Sequence, residues 1–300
     1  MNERKPNKAS IWFIGNLDAA QDVKLREVIG LLREEGLEVE MRVTWESGQT
    51  GHFCEEALKA GADAIFGCGG DGTLHELLAP VVKAGARTMM GGLPYGTGND
   101  FLQSLGLEDS FDPLQVQHWV SKRPTIIDLG CLNGEYFLNM ATIGMGAEIT
   151  SEASRGLKSV AGRLAYFASA IPAALDLTTR PARVESEELN WEGELAFLFV
   201  GNSLQAGGGW RICPAASLVD GYLDVVVVPA MPLNEMFRTR QDLLEAAEPG
   251  DFGKLIYRQV KELKVFFEEE PLPINLDGET YKGEDYHFQV QPQAVPFLIP

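Results

Sequence analysis

Two glycine-rich segments and one late acidic turn hold the residues whose types and spacing could do chemistry. Gly69-Gly70-Asp71-Gly72-Thr73 lies where an apolar run gives way to a helical pattern. Glycines at such a junction let the backbone approach phosphate oxygens, and the amides of the helix start point at the anion. A plain strand-to-helix turn needs fewer glycines than the three that surround this one acid. Pro94-Tyr95-Gly96-Thr97-Gly98-Asn99-Asp100-Phe101 repeats the arrangement after the next apolar run. Thr97 can offer a hydroxyl to a phosphate, while Asn99 and Asp100 can fix the loop or share a metal. Taken alone, Asn99-Asp100 reads equally well as a helix cap.

Other phosphate-loop chemistries are excluded by what surrounds these segments. Gly67-Cys68-Gly69-Gly70-Asp71-Gly72 formally satisfies GxGxxG, the dinucleotide fingerprint. The acid expected about 20 residues further on is missing, because that window holds Met90-Gly91-Gly92-Leu93-Pro94-Tyr95. Asp71 would also aim a carboxylate at a pyrophosphate, which makes sense when Mg²⁺ or ordered water stands between them. No GxxxxGK(S/T) occurs, and the protein-kinase signature set is absent.

Transfer of a phosphoryl group to an alcohol also needs an acceptor for the hydroxyl proton. Leu276-Asp277-Gly278-Glu279 presents two carboxylates around a glycine turn and is the best candidate, although a surface hairpin would carry the same residues. Asp128 ends the apolar pair Ile126-Ile127, where a strand-end residue is an equal reading. Pro214 to Asp224 contains an Asp220-Gly221 step that is either an oxygen site for a metal or an ordinary turn.

The elements that must position these residues alternate through the first half. Ser10–Asn16, Leu37–Trp45, Ala62–Cys68 and Arg87–Leu93 read as strands. Ala19–Glu35, Phe53–Ala60 and Leu74–Lys83 read as helices, the first two stopped by Gly36 and Gly61. Strict alternation predicts an α/β domain over residues 1–130, with a parallel sheet covered on both faces. Residues 131–300 change rhythm. A tight hairpin at Leu132–Glu135, an antiparallel pair Arg183–Glu188 and Glu194–Asn202 turning at Glu192-Gly193, and strands at Tyr222–Pro229, Lys261–Phe267, Pro273–Leu276 and Tyr286–Val290 predict a mainly antiparallel β-sandwich. Helical stretches fall near Gly156–Leu175 and Leu233–Ala247, and Gln205–Trp210 reads as a flexible loop. The stretch around Leu157–Leu175 carries Val160, Leu164, Phe167, Ala168 and Ile171 at helical spacing, as core packing or as an apolar wall for acyl chains.

GGDGT followed by PxGTxNDF resembles the diacylglycerol-kinase catalytic domain superfamily, which includes sphingosine kinases and bacterial lipid kinases. Leu25–Gly36 and Arg42–Gly48 resemble the bacterial YegS-type lipid kinases, and the likeness runs from the first strand to the Leu276–Glu279 segment. The resemblance implies an ATP-dependent lipid kinase acting on a lipid such as phosphatidylglycerol or diacylglycerol. It implies nucleotide contacts from Thr44, from Gly69, Gly70, Asp71, Gly72, Thr73, Leu74, His75 and Glu76, and from Thr97. It makes Glu279 the general base and Asp277 its support, with Asp71, Asp100 and Asp128 in a metal-and-water network. It places a structural Mg²⁺, or Ca²⁺, on Asp220 and the carbonyls of Ser217 and Tyr222, and returns the final segment to an interdomain cleft. His75 departs from the family, whose close relatives usually carry Asn there.

Composition narrows the partners. Lys and Arg total 25 against 43 Asp and Glu, a net charge of −18, which repels nucleic acid and argues against electrostatic anchoring on anionic lipid. The four cysteines have no metal spacing and read as reduced thiols. The longest uncharged apolar run, Leu164–Leu175, is about half a membrane crossing and is interrupted by Pro172. The apolar stretch Ile11–Ile14 is too short for a signal-peptide core. These features predict a cytoplasmic enzyme without a transmembrane segment that meets its lipid at the membrane surface. The competing readings are a soluble small-molecule kinase of the NAD-kinase type and a non-catalytic nucleotide-binding module.

Overall fold

A computed structural model describes residues 9–46, 48–85, 87–107, 110–144, 179–245, 248–281, 283 and 285–299. The chain forms two compact units, residues 1–127 with 293–300, and residues 128–292. The helical reading at Gly156–Leu175 and its apolar wall lie outside the described residues.

Unit 1 is a parallel sheet of β1 (Ser10–Gly15), β2 (Glu38–Val43), β3 (Ala64–Gly69) and β4 (Met89–Pro94), in the order β4-β3-β1-β2. Continuous burial of β1 and β3, from Ile11 to Gly15 and from Ala64 to Gly69, matches strands covered on both faces. The tail of the chain closes this unit, since Phe297 pairs in parallel with Met90 and packs edge-on against Phe101.

The helices are α1 (Leu17–Gln21), α2 (Val23–Glu34), α3 (Gln49–Ala60), α4 (Asp71–Lys83), α5 (Asp100–Ser104) and α6 (Pro113–Ser121). The expected helix over Ala19–Glu35 is thus two. Asp22 adopts an extended ψ of 131° and caps Lys24 with its carboxylate, ending one helix and starting another. On α2, buried Leu25, Val28 and Leu32 recur at helical spacing, and the turn closes on Gly36 at φ +89°. Pro113 follows the Asp112 cap of α6, the position where its missing amide costs nothing.

Unit 2 is antiparallel. Its strands are β5 (Thr125–Leu132, entering from unit 1), β6 (Glu135–Phe137), β7 (Met140–Ile143), β8 (Arg180–Glu185), β9 (Asn190–Gly201) and β10 (Gln205–Ala206). They continue with β11 (Trp210–Arg211), β12 (Leu223–Pro229), β13 (Gly250–Phe252), β14 (Leu255–Val260), β15 (Glu262–Phe267), β16 (Ile274–Leu276), β17 (Glu279–Tyr281) and β18 (Tyr286–Phe297). One helix, α7 (Leu233–Glu245), follows β12. One edge of β9 pairs with β12, while its other edge passes from β8 to β7 between Leu195 and Leu198. That handover gives the unit two hydrophobic layers. One gathers Phe137, Val184, Leu198, Val225, Val265 and Phe288, the other Val226, Val228, Leu255 and Tyr257.

Two local readings are corrected. The β8–β9 turn is at Ser186–Leu189, where Ser186 Oγ accepts the Leu189 amide, and Glu192-Gly193 lies inside β9 opposite Arg183 and Ala182. A Cβ at Gly193 would sit 3.0 Å from the Trp191 ring, a tight contact that glycine avoids. Gln205–Trp210 is the short hairpin β10–β11, turned through three left-handed glycines, Gly207, Gly208 and Gly209.

Candidate active site

In unit 1 the two glycine segments follow adjacent parallel strands, β3 and β4, at their C-terminal ends, where open α/β sheets bind ligands. Their backbones touch. A Cβ on Gly96 would lie 2.2 Å from Gly70 Cα, and one on Gly70 would lie 2.5 Å from the Gly98 carbonyl oxygen. The Tyr95 amide donates to the Gly69 carbonyl at 3.1 Å. Glycines here therefore serve loop-to-loop packing.

Asp71 completes the join. It is the first residue of α4, yet its carboxylate accepts the backbone amides of Asp100 (3.1 Å) and Phe101 (3.0 Å) at the start of α5. Asn99 clamps its own loop: its Oδ1 accepts the Gly96 amide and its Nδ2 donates to the Gly96 carbonyl. Asn99 thus fixes the loop and makes no side-chain capping bond to α5. Asp100 is buried and Thr97 is exposed at the loop tip. Leu74 is fully buried, against the Cα positions of Gly67 and Gly92, and its amide is spent on Gly70, so its part in the loop is packing. Thr44 extends β2 past its end, its amide donating to the Gly15 carbonyl at 2.8 Å.

In unit 2 the Asp277 carboxylate accepts three successive amides, Leu138 (2.7 Å), Asn139 (2.8 Å) and Met140 (3.0 Å). Asp277 itself stands at φ +50° and Gly278 at φ +100°, the left-handed pair that a two-residue β16–β17 hairpin requires. Asp277 is a positioning residue that locks the hairpin to the start of β7. Glu279, first residue of β17, is exposed.

Asp128 is also a holding group. Its carboxylate accepts the Gly221 amide at 2.7 Å, and its own amide donates to Leu218. This pins the Pro214–Tyr222 loop, in which the Asp220 carboxylate accepts the Tyr222 amide and a Gln259 Nε2 bond. Desolvation pushes the Asp220 carboxyl above its ordinary pKa, and the nearby Asp128 charge adds to that, against the Tyr222 amide. Beneath lies Asp224, buried, accepting bonds from the Tyr257 hydroxyl and Gln259 and pushed up to about 6 by desolvation. Among the described residues no three His, Cys, Asp or Glu side chains gather as a metal cluster, so a cation here would draw on carbonyl oxygens too.

The diacylglycerol kinase catalytic domain profile matches residues 12–132, and that of the YegS C-terminal NAD kinase beta sandwich-like domain matches residues 139–299. A Pseudomonas aeruginosa (strain UCBPP-PA14) protein named "Probable lipid kinase YegS-like" is 35% identical over 294 residues, covering 98% of this chain and 95% of that protein. The chain belongs to the YegS-like diacylglycerol kinase family. A Citrobacter koseri member with the same name is 31% identical over 296 residues, with 96% and 95% coverage. In fold, a crystal structure of a diacylglycerol kinase from Bacillus anthracis str. Sterne aligns with a TM-score of 0.75 at 21% identity, over 99% and 98% of the two chains. Another structure from that organism reaches 0.81 at 23% identity, with the same coverage.

Within this YegS-like chain, Asp71 and Asp100 belong to unit 1, and Asp128, Asp277 and Glu279 to unit 2. Sequence reasoning missed Asn202. Its fully buried Nδ2 donates to the carbonyls of Asp128 (3.0 Å) and Leu138 (2.8 Å), bridging the strand of one acid to the corner held by Asp277. A polar residue closing the apolar run of β9 was the only signal it left.

Proposed function

We propose that this lipid kinase of the diacylglycerol kinase family transfers the γ-phosphate of ATP to a hydroxyl of a lipid such as phosphatidylglycerol or diacylglycerol. The observation that carries the reading is the Asp71 carboxylate clamping two touching glycine loops at the ends of adjacent parallel strands. Such a paired loop offers convergent amides for phosphates, with the α4 dipole behind them. In this reading Gly69 to Thr73, His75, Glu76, Thr97 and Thr44 contact the nucleotide, with Leu74 packed beneath the loop. Unit 1 (residues 1–127 with 293–300) would be the nucleotide domain and unit 2 (residues 128–292) the lipid domain, working on the cytoplasmic side of a membrane, where ATP is available.

Glu279 takes the proton of the attacking hydroxyl. Its exposure leaves the carboxylate open to a substrate, and the three amides on Asp277 fix the hairpin that carries it. The donor chemistry of the Asp220 loop fits Mg²⁺ or Ca²⁺, since the Asp220 carboxylate, close enough to feel the Asp128 charge, supplies hard oxygen that the Ser217 and Tyr222 carbonyls would complete. Mg²⁺ travelling with ATP would neutralise charge on the transferred phosphate, beside Asp71 and Asp100.

The test is incubation of the purified protein with labelled ATP and a total lipid extract, followed by identification of the labelled product. Glu279→Gln is expected to cut turnover by ~10²–10⁴ with ATP affinity unchanged. Unchanged turnover removes the base assignment, and label on NAD with none on lipid removes the substrate class.

A further inference from the structure

Among the described residues of unit 1, five large apolar side chains are exposed: Leu17 (42%), Val23 (73%), Trp45 (73%), Leu114 (61%) and Ile126 (44%). Four of them share one edge of the fold. Leu17 opens α1 directly after β1, Val23 opens α2, and Trp45 follows the end of β2. In a parallel sheet these points, C-terminal strand ends and the helix starts beside them, lie on the edge that bears the glycine loops. Leu114 joins them through contacts. Phe111, just before α6, packs its ring on Tyr95 of the second glycine loop at 5.8 Å, and Lys24 Nζ reaches the Phe111 carbonyl at 3.3 Å. Further along, Gln117 bonds Glu35, so α2 and α6 run side by side in the same direction with Val23 and Leu114 at their leading ends. Ile126, on β5, stands apart.

We propose that Leu17, Val23, Trp45 and Leu114 form a rim that inserts into a lipid bilayer and brings the catalytic edge of unit 1 to its substrate. The proposal rests on the lipid-kinase reading and is independent of the role given to Glu279. Three observations select a bilayer as the occupant. At a net charge of −18, with Asp18, Asp22, Glu46 and Asp112 beside the rim residues, attraction to anionic headgroups cannot supply the contact. No helix among the described residues is long and apolar enough to cross a membrane, so shallow insertion of apolar side chains is the remaining route in this region. A tryptophan held at the rim, its amide fixed by Gln49 Oε1 at 2.7 Å, is the residue type that prefers the headgroup boundary. Asp22 and Asp112 cap the Lys24 and Leu114 amides, which fixes the backbone that carries the exposed Val23 and Leu114 side chains.

Vesicle flotation of the full chain on phosphatidylcholine vesicles tests this, with Val23→Ser, Trp45→Ser and Leu114→Ser combined. Each withdrawn side chain should weaken partitioning on the order of tenfold. The triple variant should keep the wild-type melting temperature and phosphorylate a short-chain, water-soluble diacylglycerol at the wild-type rate. Binding should persist when salt is raised to ~0.5 M, where surface electrostatics are screened. The proposal is overturned if the triple variant floats like wild type, if wild type does not float, or if salt releases it. It is equally overturned if Phe266→Ser, at an exposed apolar residue of unit 2, lowers flotation as much, or if the triple variant loses a dimer while flotation is intact. Flotation through these residues without phosphorylation of any lipid would leave the docking surface standing and remove the kinase reading.

Discussion

The Asp71 carboxylate accepts the Phe101 amide at 3.0 Å, so the first residue of α4 caps the first turn of α5. With the Asp100 amide at 3.1 Å it makes two charge-assisted bonds, each contributing about 1.5–3 kcal/mol. Asp71→Ala should therefore destabilise the protein by about 3–6 kcal/mol in urea denaturation and abolish turnover. Asp71→Asn keeps one acceptor and should recover at least half of that stability while turnover stays low. Recovery of both would reduce Asp71 to a structural clamp with no part beside the phosphates.

Gly96 gives a second prediction. A methyl at this position would sit 2.2 Å from Gly70 Cα and 2.5 Å from Gly70 N, backbone that cannot swing away. Gly96→Ala should push the two loops apart and weaken ATP binding at least tenfold by calorimetry. Gly85→Ala is the contrast. Its own φ of +82° makes alanine strained, but nothing lies within 4 Å of the added methyl, so stability should fall by about 1 kcal/mol with ATP affinity unchanged.

Much of this was legible in the sequence, because strand-glycine-helix junctions announce themselves locally. The four parallel strands, the Gly36 and Gly61 stops and the Asn133-Gly134 hairpin all follow from short-range rules. The failures occurred where a long-range partner decided. Ala19–Glu35 keeps helical periodicity through Asp22, and only the Asp22 cap on Lys24 splits it. Glu192-Gly193 has the composition of a turn, but pairing with Arg183 and Ala182 keeps it in a strand. At the site, residue types singled out Asp71 and Asp277. That their carboxylates are filled with backbone amides about 30 and 140 residues away is a tertiary fact with no local pattern.

Asn202 supports the third prediction. Its amide nitrogen joins the carbonyls of Asp128 and Leu138, and the amide of Leu138 in turn bonds Asp277. Asn202→Ala would remove both bonds, a cost of about 0.5–1.5 kcal/mol for each. The corner that anchors the Glu279 hairpin would loosen. Turnover should fall while ATP affinity is unchanged, because nucleotide binding is assigned to unit 1. Loss of ATP affinity in this variant would place Asn202 in the nucleotide site instead.

Asp224 makes stability depend on pH in a direction opposite to that of a salt-bridged carboxylate. Burial pushes its carboxyl from 3.8 up to about 6, with Tyr257 and Gln259 only partly offsetting the desolvation. Between about pH 4 and pH 6 the folded protein keeps a proton that the unfolded chain has released. The stabilising contribution of this proton is complete below about pH 4 and is lost as pH rises through about 6. A displacement of that size corresponds to at most about 3 kcal/mol. Asp224→Asn removes the titration but supplies one acceptor for the two donors, Tyr257 and Gln259, so it should cost a pH-independent amount of about 1 kcal/mol. Urea denaturation in the presence of a chelator should show wild type more stable than Asp224→Asn at pH 4. That advantage should shrink by about 2–3 kcal/mol, and can reverse sign, by pH 7. A difference between the two proteins that stays constant from pH 4 to pH 7 would mean that Asp224 titrates alike in the folded and unfolded chain.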